Sequence, residues 1–200
     1  MIKFISSRAA CILCKDEDTD DMRELYEYAI YILLSGLFHL FSVVALGLCF
    51  NMVLESLVFY CSFILIRKFA GGYHAKTPTR CYIFSVFSSV VALCLIKFIG
   101  YLNFFYYCIF VVFEILCVVF IIVRSPLDNE NKPLNVKEKS LYKFLSVLSS
   151  ILMSALSLLL KWGGFDILSV AVSFGIIMCA VVVFLRSFQI FYRKHIVKIK

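Results

Sequence analysis

The stretch RKFAGGYHAKTPTRC, Arg67 to Cys81, sets His74 and Cys81 seven positions apart in a polar, basic, glycine-interrupted segment. A thiol and an imidazole are the parts of a nucleophile and base pair, whose chemistry is acyl transfer: thiolate attack on a carbonyl, a covalent thioester, then displacement by a second nucleophile. On one unbroken helix the two would share a face but lie roughly 10 Å apart along the axis, too far for a hydrogen bond. Pro78 breaks a helix that runs through it, and Gly71-Gly72 free the chain ahead of the histidine, so the segment can fold back. Thr77-Pro78 predicts a helix start, with Thr77 as N-cap and Pro78 at the first helical position. Cys81 then falls in the first turn, where the helix dipole, Arg80 and Lys76 bring positive charge to the sulfur and favour thiolate over thiol. The structural alternative stands beside this. One His and one Cys in an apolar chain are more often structural than catalytic, the glycine pair can be a plain turn, and Arg67, Lys68, Lys76 and Arg80 can be a basic anchor at the inner face of a membrane. Spacing alone leaves the choice open.

The elements that must position this segment are membrane helices. Of 200 residues 62% are hydrophobic and 21 are Phe, and the mean hydropathy of +0.96 is far above that of an ordinary globular domain. A span needs about 20 mostly apolar residues, so the chain has room for about six and no separate soluble domain. The expected fold is all-α: a polytopic integral membrane protein of about six transmembrane helices with short loops, one domain over residues 1–200. Apolar runs cover Tyr28 to Phe50, Met52 to Ile66, Tyr82 to Ile99, Phe104 to Val123, Phe144 to Leu160 and Phe165 to Leu185. The second is short and carries Glu55, so it either spans or re-enters; a four-span arrangement is the lesser alternative. The net charge of +7 is one-sided. Lys and Arg gather before the first run and after the second, fourth and sixth, leaving essentially Lys161, with Lys97, for the other face. That asymmetry predicts both termini and the 67–81 loop in the cytoplasm. Residues 1–24 read as a retained cytoplasmic segment without a signal-peptide core. Its first part is either an amphipathic helix on the inner leaflet or a loose tail. Residues 124–143 read as a second cytoplasmic loop, and 186–200 as a basic tail that anchors to lipid rather than to nucleic acid.

Other residues invite weaker readings. The nine cysteines are an odd number, mostly inside apolar runs, which argues against a disulfide framework. Cys11 and Cys14 form a CxxC with no second pair to complete a zinc site, and no phosphate-cradling glycine loop is present, so neither metal nor cofactor is expected. Glu114 lies mid-span, where an ionisable group is expensive and by default a functional candidate. His39, in the first span, is cheaper to bury and reads as structural.

Arg67-x3-Gly71-Gly72-Tyr73-His74-Ala75-x5-Cys81 resembles the signature of the accessory gene regulator protein B (AgrB) family, membrane cysteine peptidases of bacterial quorum sensing. SPLDNENKPLNVKEK, Ser125 to Lys139, resembles that family's second cytoplasmic loop, with Asn131-Lys132-Pro133 at its centre. The resemblance covers nearly the whole chain. It implies a thiol protease of the bacterial cell membrane that cuts an AgrD-like precursor peptide on the cytoplasmic side and cyclises the product to a thiolactone or lactone. It assigns Cys81 as nucleophile and His74 as base, with Arg67 and Gly72 at positions needed for activity, and it implies a homodimer. Arg67 then has two readings, a membrane-face anchor or a donor to an oxyanion or substrate carboxylate. Lys76 and Arg80 either guide an acidic precursor tail or contact lipid phosphate. The competing class is a small transporter or peptide exporter that depends on Glu114 and His39 and tolerates loss of Cys81.

Overall fold

The computed structural model describes residues 2–13, 20–73, 77–99, 104–127 and 135–196, and these are all-helical. In chain order the helices are α1 (Ile2–Leu13), α2 (Asp20–Phe50), α3 (Val53–Ala70), α4 (Pro78–Ile99), α5 (Phe104–Arg124), α6 (Val136–Trp162) and α7 (Asp166–Ile196). The six apolar runs fall one in each of α2 to α7, with Met52 and Phe165 directly preceding α3 and α7. Five, namely α2 and α4 to α7, contain stretches long and apolar enough to cross a membrane. Helix α3 has 18 residues and includes Glu55, Arg67 and Lys68; it is the shortest of α2 to α7, so these charges leave it less apolar length than the other five. The chain is a polytopic helical membrane protein.

Two compact units make up the chain, residues 1–45 and 46–200. In the first, α1 realises the helical alternative for the N-terminal segment, and Arg23 of α2 donates to Cys11 Sγ at 2.6 Å; Cys14 lies outside the described residues. His39 is partly buried in α2.

In the second unit α3, α5 and α6 pack around α7, with α4 on α3 and α7. Lipid is as apolar as leucine, so the hydrophobic effect gives no drive for helices to pair within it, and close van der Waals packing through small residues takes its place. Gly175 of α7 shows how close: a Cβ there would come within 2.6 Å of Ser62 Cβ and 3.0 Å of the α3 backbone at Phe59 O and Phe63 N. Two core layers follow. One gathers Phe59, Leu93, Ile96, Tyr107 and Phe174. The other gathers Ile66, Ala70, Ile121, Ile176 and Val183, towards the C-terminal ends of α3, α5 and α7.

Helices α2, α6 and α7 run well beyond the apolar runs that predicted them, α2 by starting at Asp20 rather than Tyr28. Helix α6 starts at Val136, inside the stretch expected as loop 124–143, because Glu138 Oε2 accepts the Asn135 N–H at 3.0 Å and so closes the first turn. Helix α7 continues to Ile196, through much of the stretch expected as a basic tail. Arg186, expected there as a lipid anchor, is buried at 8% exposure and donates to Gln189 Oε1 at 2.9 Å. Hydropathy marks where a helix is greasy, and these polar turns lie beyond that.

Candidate functional site

Helix α3 ends in the glycine pair. Gly71 has φ 75° and Gly72 φ 144°, both in the region that side chains with a Cβ rarely enter. Both also lie against backbone or core. A Cβ on Gly71 would stand 2.6 Å from the carbonyl oxygen of Leu127, and one on Gly72 would stand 2.6 Å from Val182 Cγ1. Such closeness lets the segment dock on two sides. Leu127 donates its N–H to Ala70 O at 3.1 Å, tying the segment after α5 to the end of α3, and Tyr73 donates its N–H to Val182 O at 3.1 Å, tying the loop to α7. Within helix α7 the Val182 carbonyl belongs to the α-helical ladder, so it serves the loop through its second lone pair.

Arg67 closes the loop from the other side. Its Nη2 donates to Tyr73 O at 3.0 Å, and its guanidinium carbon lies 5.3 Å from the centroid of the Phe63 ring, a cation–π distance. The side chain left open between anchor and oxyanion donor is here a clasp on the loop backbone.

Across the loop, α4 begins as Thr77-Pro78 predicts. Thr77 Oγ1 accepts the Arg80 N–H at 3.4 Å and Thr77 O accepts the Cys81 N–H at 3.1 Å. Cys81 is therefore in the first turn and half-buried, a free thiol like the other described cysteines. The Tyr73 ring meets Phe84 edge-on with centroids 6.4 Å apart, and Phe84 is three residues beyond Cys81, on the same side of α4. Arg67, Gly71 and Gly72 thus hold Tyr73, and the Tyr73 ring brings the docked segment to α4 one turn along from Cys81. Arg80 is exposed. His74, Lys76 and Asn131-Lys132-Pro133 lie outside the described residues. Glu114 belongs to another cluster, where Ser173 Oγ donates to its Oε2 at 2.7 Å. Among the described residues no group of His, Cys, Asp and Glu has the arrangement of a metal site.

The contacts of Val182, an ordinary-looking span residue, and of Leu127, within the Ser125 to Lys139 stretch, escaped sequence reasoning, since both act through backbone atoms. Ser157, Ser169 and Ser173 escaped it too, although Ser169 and Ser173 stand one helical turn apart, a spacing that puts both hydroxyls on one face.

This chain is similar to proteins of known naming. An AgrB-like protein, number 2 of Clostridium perfringens (strain 13 / Type A), is 30% identical over 177 residues, 76% of this chain and 78% of its own length. A second from the same organism, AgrB-like protein 1, is 28% identical over 172 residues, covering 81% and 90%. Accessory gene regulator protein B of Staphylococcus aureus (strain JH9) is 26% identical over 129 residues, covering 64% and 67%. No solved structure matches at a significant level. The sequence profile described as Accessory gene regulator B matches residues 6–191, nearly the whole chain including the docked loop and Cys81, and the chain belongs to that family.

Proposed function

We propose that this chain is a membrane-embedded cysteine endopeptidase that removes the C-terminal tail of an AgrD-like precursor and cyclises what remains to a thiolactone or lactone autoinducing peptide. Family membership supports a role in accessory-gene-regulator quorum-sensing peptide processing. The observation that supports the finer reading is the loop itself: two positive-φ glycines and the Arg67 clasp hold the backbone one residue short of His74 against α7, with the Tyr73 ring on Phe84, one turn along α4 from Cys81. A catalytic base needs its backbone held to within fractions of an ångström, and this loop is held at both sides.

The reaction runs in two acyl transfers. Cys81 Sγ, as thiolate, attacks the scissile carbonyl; the C–N bond breaks, and the leaving amine takes the proton that His74 received from the thiol. The upstream part of the precursor remains as a thioester on Cys81. A Cys or Ser side chain in the same peptide then gives its proton to His74 and attacks the thioester carbonyl, closing the ring and releasing the Cys81 thiolate. Cyclisation must outrun hydrolysis, so the site must hold the peptide folded and keep water away. Exchange of a peptide bond for a thioester is uphill, whereas thioester to thiolactone is nearly balanced. Removal of the cut tail or of the ring therefore pulls the sequence forward without ATP.

The same reading sets the loop on the cytoplasmic face of a bacterial cell membrane, because the basic side chains at this end, among them Arg67, Arg80, Arg124, Lys137 and Lys143, follow the positive-inside pattern. It takes the chain as one peptidase domain and as a homodimer. The test is co-expression with the precursor, comparing wild type, Cys81→Ala and His74→Ala for cut, cyclic peptide by mass spectrometry. Loss of product in both variants, with the proteins still in the membrane, is expected. Unchanged product, or a loss in Glu114→Gln alone, refutes the peptidase and favours the carrier.

A further inference from the structure

Away from the Cys81 loop, the bundle contains a continuous run of hydroxyls that ends on a carboxyl. Glu114, about 10 Å along α5 from Tyr107, is 1% exposed. From α7, Ser173 Oγ reaches Glu114 Oε2 at 2.7 Å and also Ser169 O at 3.1 Å. From α6, Ser157 Oγ lies 2.8 Å from Ser173 Oγ, 3.2 Å from Ser169 Oγ and 3.3 Å from Ser169 O. Ser169 Oγ is 3.1 Å from Tyr107 OH. The Lys161 ammonium sits over the Tyr107 ring, 4.3 Å from its centroid, and pairs at 3.0 Å with Asp166, which is 48% exposed at the turn between α6 and α7. That turn is about 24 Å along α7 from Val182 and the docked loop.

Helix adhesion alone does not call for this arrangement. Ser173 has one hydroxyl proton and two acceptors in reach, the carboxylate and a carbonyl; Ser157 likewise has two hydroxyls and a carbonyl. When Glu114 is ionised, Ser173 donates to it. When Glu114 is protonated, Ser173 turns to Ser169 O and accepts from the acid. Rotation about Cβ–Oγ, a motion of the picosecond to nanosecond class, thus satisfies both states, where a purely structural bond needs only one. The second oxygen, Oε1, is buried and has no partner in hydrogen-bond geometry. Around the carboxyl α6 presents Ser154 and α7 presents Ser173, with Ser157 of α6 one hydroxyl further on, and Cys117 is the titratable neighbour on α5 itself.

We propose that Glu114 is a reversible proton-binding site inside the membrane, loaded and emptied through Ser173, Ser157, Ser169 and Tyr107 from the face that carries Lys161 and Asp166. On emptying, Tyr107 OH gives its proton to water at the turn and takes one from Ser169; Ser169 takes one from Ser157, Ser157 from Ser173, and Ser173 from Glu114. Each hydroxyl ends with one proton, only O–H bonds change, and the net result is a carboxylate and a hydrated proton. The Lys161 cation over the Tyr107 ring repels an excess proton and favours a missing one, so the relay starts by removal at Tyr107.

The test uses the full chain in lipid vesicles and infrared spectroscopy of the carboxyl C=O stretch, with no precursor, so its result is separate from that of the peptidase reading. A protonated-carboxyl band absent in Glu114→Gln should fall and return reversibly as pH is raised and lowered. On transfer to D2O its isotope shift should be about tenfold slower in Ser157→Ala, the effect of a barrier raised by roughly one hydrogen bond. Tyr107→Phe, which keeps the ring under Lys161, supplies the same comparison if Ser157→Ala fails to fold. A band that ignores pH throughout the range where the protein stays folded, the absence of any such band, or exchange unchanged in the folded variants overturns the proposal.

Discussion

Gly72→Ala isolates the loop from everything else in the molecule. At φ 144° an L-residue pays about 1 to 3 kcal/mol of backbone strain. The new Cβ also meets Val182 Cγ1 at 2.6 Å, and Val182 is 1% exposed, so its side chain has little room to yield; overpacking of this kind costs about 1 to 3 kcal/mol. The chain escapes both penalties by the same movement, lifting the loop off α7, which gives up the Tyr73 N–H bond to Val182 O. The two costs therefore do not add, and about 2 kcal/mol against the docked state is a fair figure, roughly thirtyfold in the docked-to-open ratio. Hydrogen exchange of the peptide containing Tyr73 should quicken by that factor while the exchange of α3 and α7 beneath it stays as in wild type. Precursor processing should fall in parallel. Val182→Ala in the same chain removes Cγ1 but leaves the strain, so it should restore part of both. Wild-type exchange and processing in Gly72→Ala would refute the account, since the strain and the contact would then both be without consequence.

Arg67→Met removes the donor to Tyr73 O and should lower processing about tenfold or more, as expected for a lost bond from a charged group; Arg67→Lys should recover little, because an ammonium does not reproduce the planar fork. Full activity in Arg67→Met would return Arg67 to the role of an anchor. Gly175→Val forces a branched side chain into the α3 crossing, where even a first Cβ stands 3.0 Å from two α3 backbone atoms; a loss of about 1 to 3 kcal/mol should appear as a lower unfolding temperature in detergent, and an unaltered one would mean that the crossing is looser than drawn. Cys81→Ser should abolish product while leaving thermal unfolding near wild type, since the half-buried residue changes by one atom; residual product at the wild-type rate would exclude Cys81 as nucleophile.

What sequence disclosed about this fold was its apolar content and its punctuation. Runs of Leu, Ile, Val and Phe located all of α2 to α7, and Thr77-Pro78 located the start of α4 to the residue, because a proline at the first helical position and a hydroxyl before it have few other uses. Helix ends made of charged turns, such as Val136 to Lys143 and the length of α7 beyond Leu185, were hidden from hydropathy. Arg186 was misread for the same reason: a basic residue after a span suggests lipid phosphate, and only packing reveals that α7 carries it into the protein. In the loop, Gly71-Gly72 announced a turn, but what they permit is closeness to Leu127 and Val182, partners distant in sequence that contribute main-chain atoms common to every residue. The identity of Val182 carries no mark of the carbonyl it lends.

Helix α7 explains why those missed features lie where they do. It packs against α3, α4, α5 and α6 and is the most enclosed of the candidate spans. A helix with neighbours on every side cannot keep bulk on every side, and α7 has small residues at Ser169, Ala171, Ser173, Gly175, Cys179 and Ala180. Each small residue lets another chain come near, and what comes near differs along the axis. At Ser169 and Ser173 it is the hydroxyl of α6 and the carboxyl of α5; at Gly175 it is the backbone of α3; one turn past Cys179 it is the loop that leads to His74. The two sites are thus built from one helix, separated by its tightest crossing. A rigid α7 would hold the loop in place whatever the protonation of Glu114, whereas a shift of α7 along α3 at Gly175 would move Val182 and Ser173 together. Hydrogen exchange at Tyr73 in Glu114→Gln tells these apart: unchanged exchange means two independent sites on a common strut, and altered exchange means that the strut transmits.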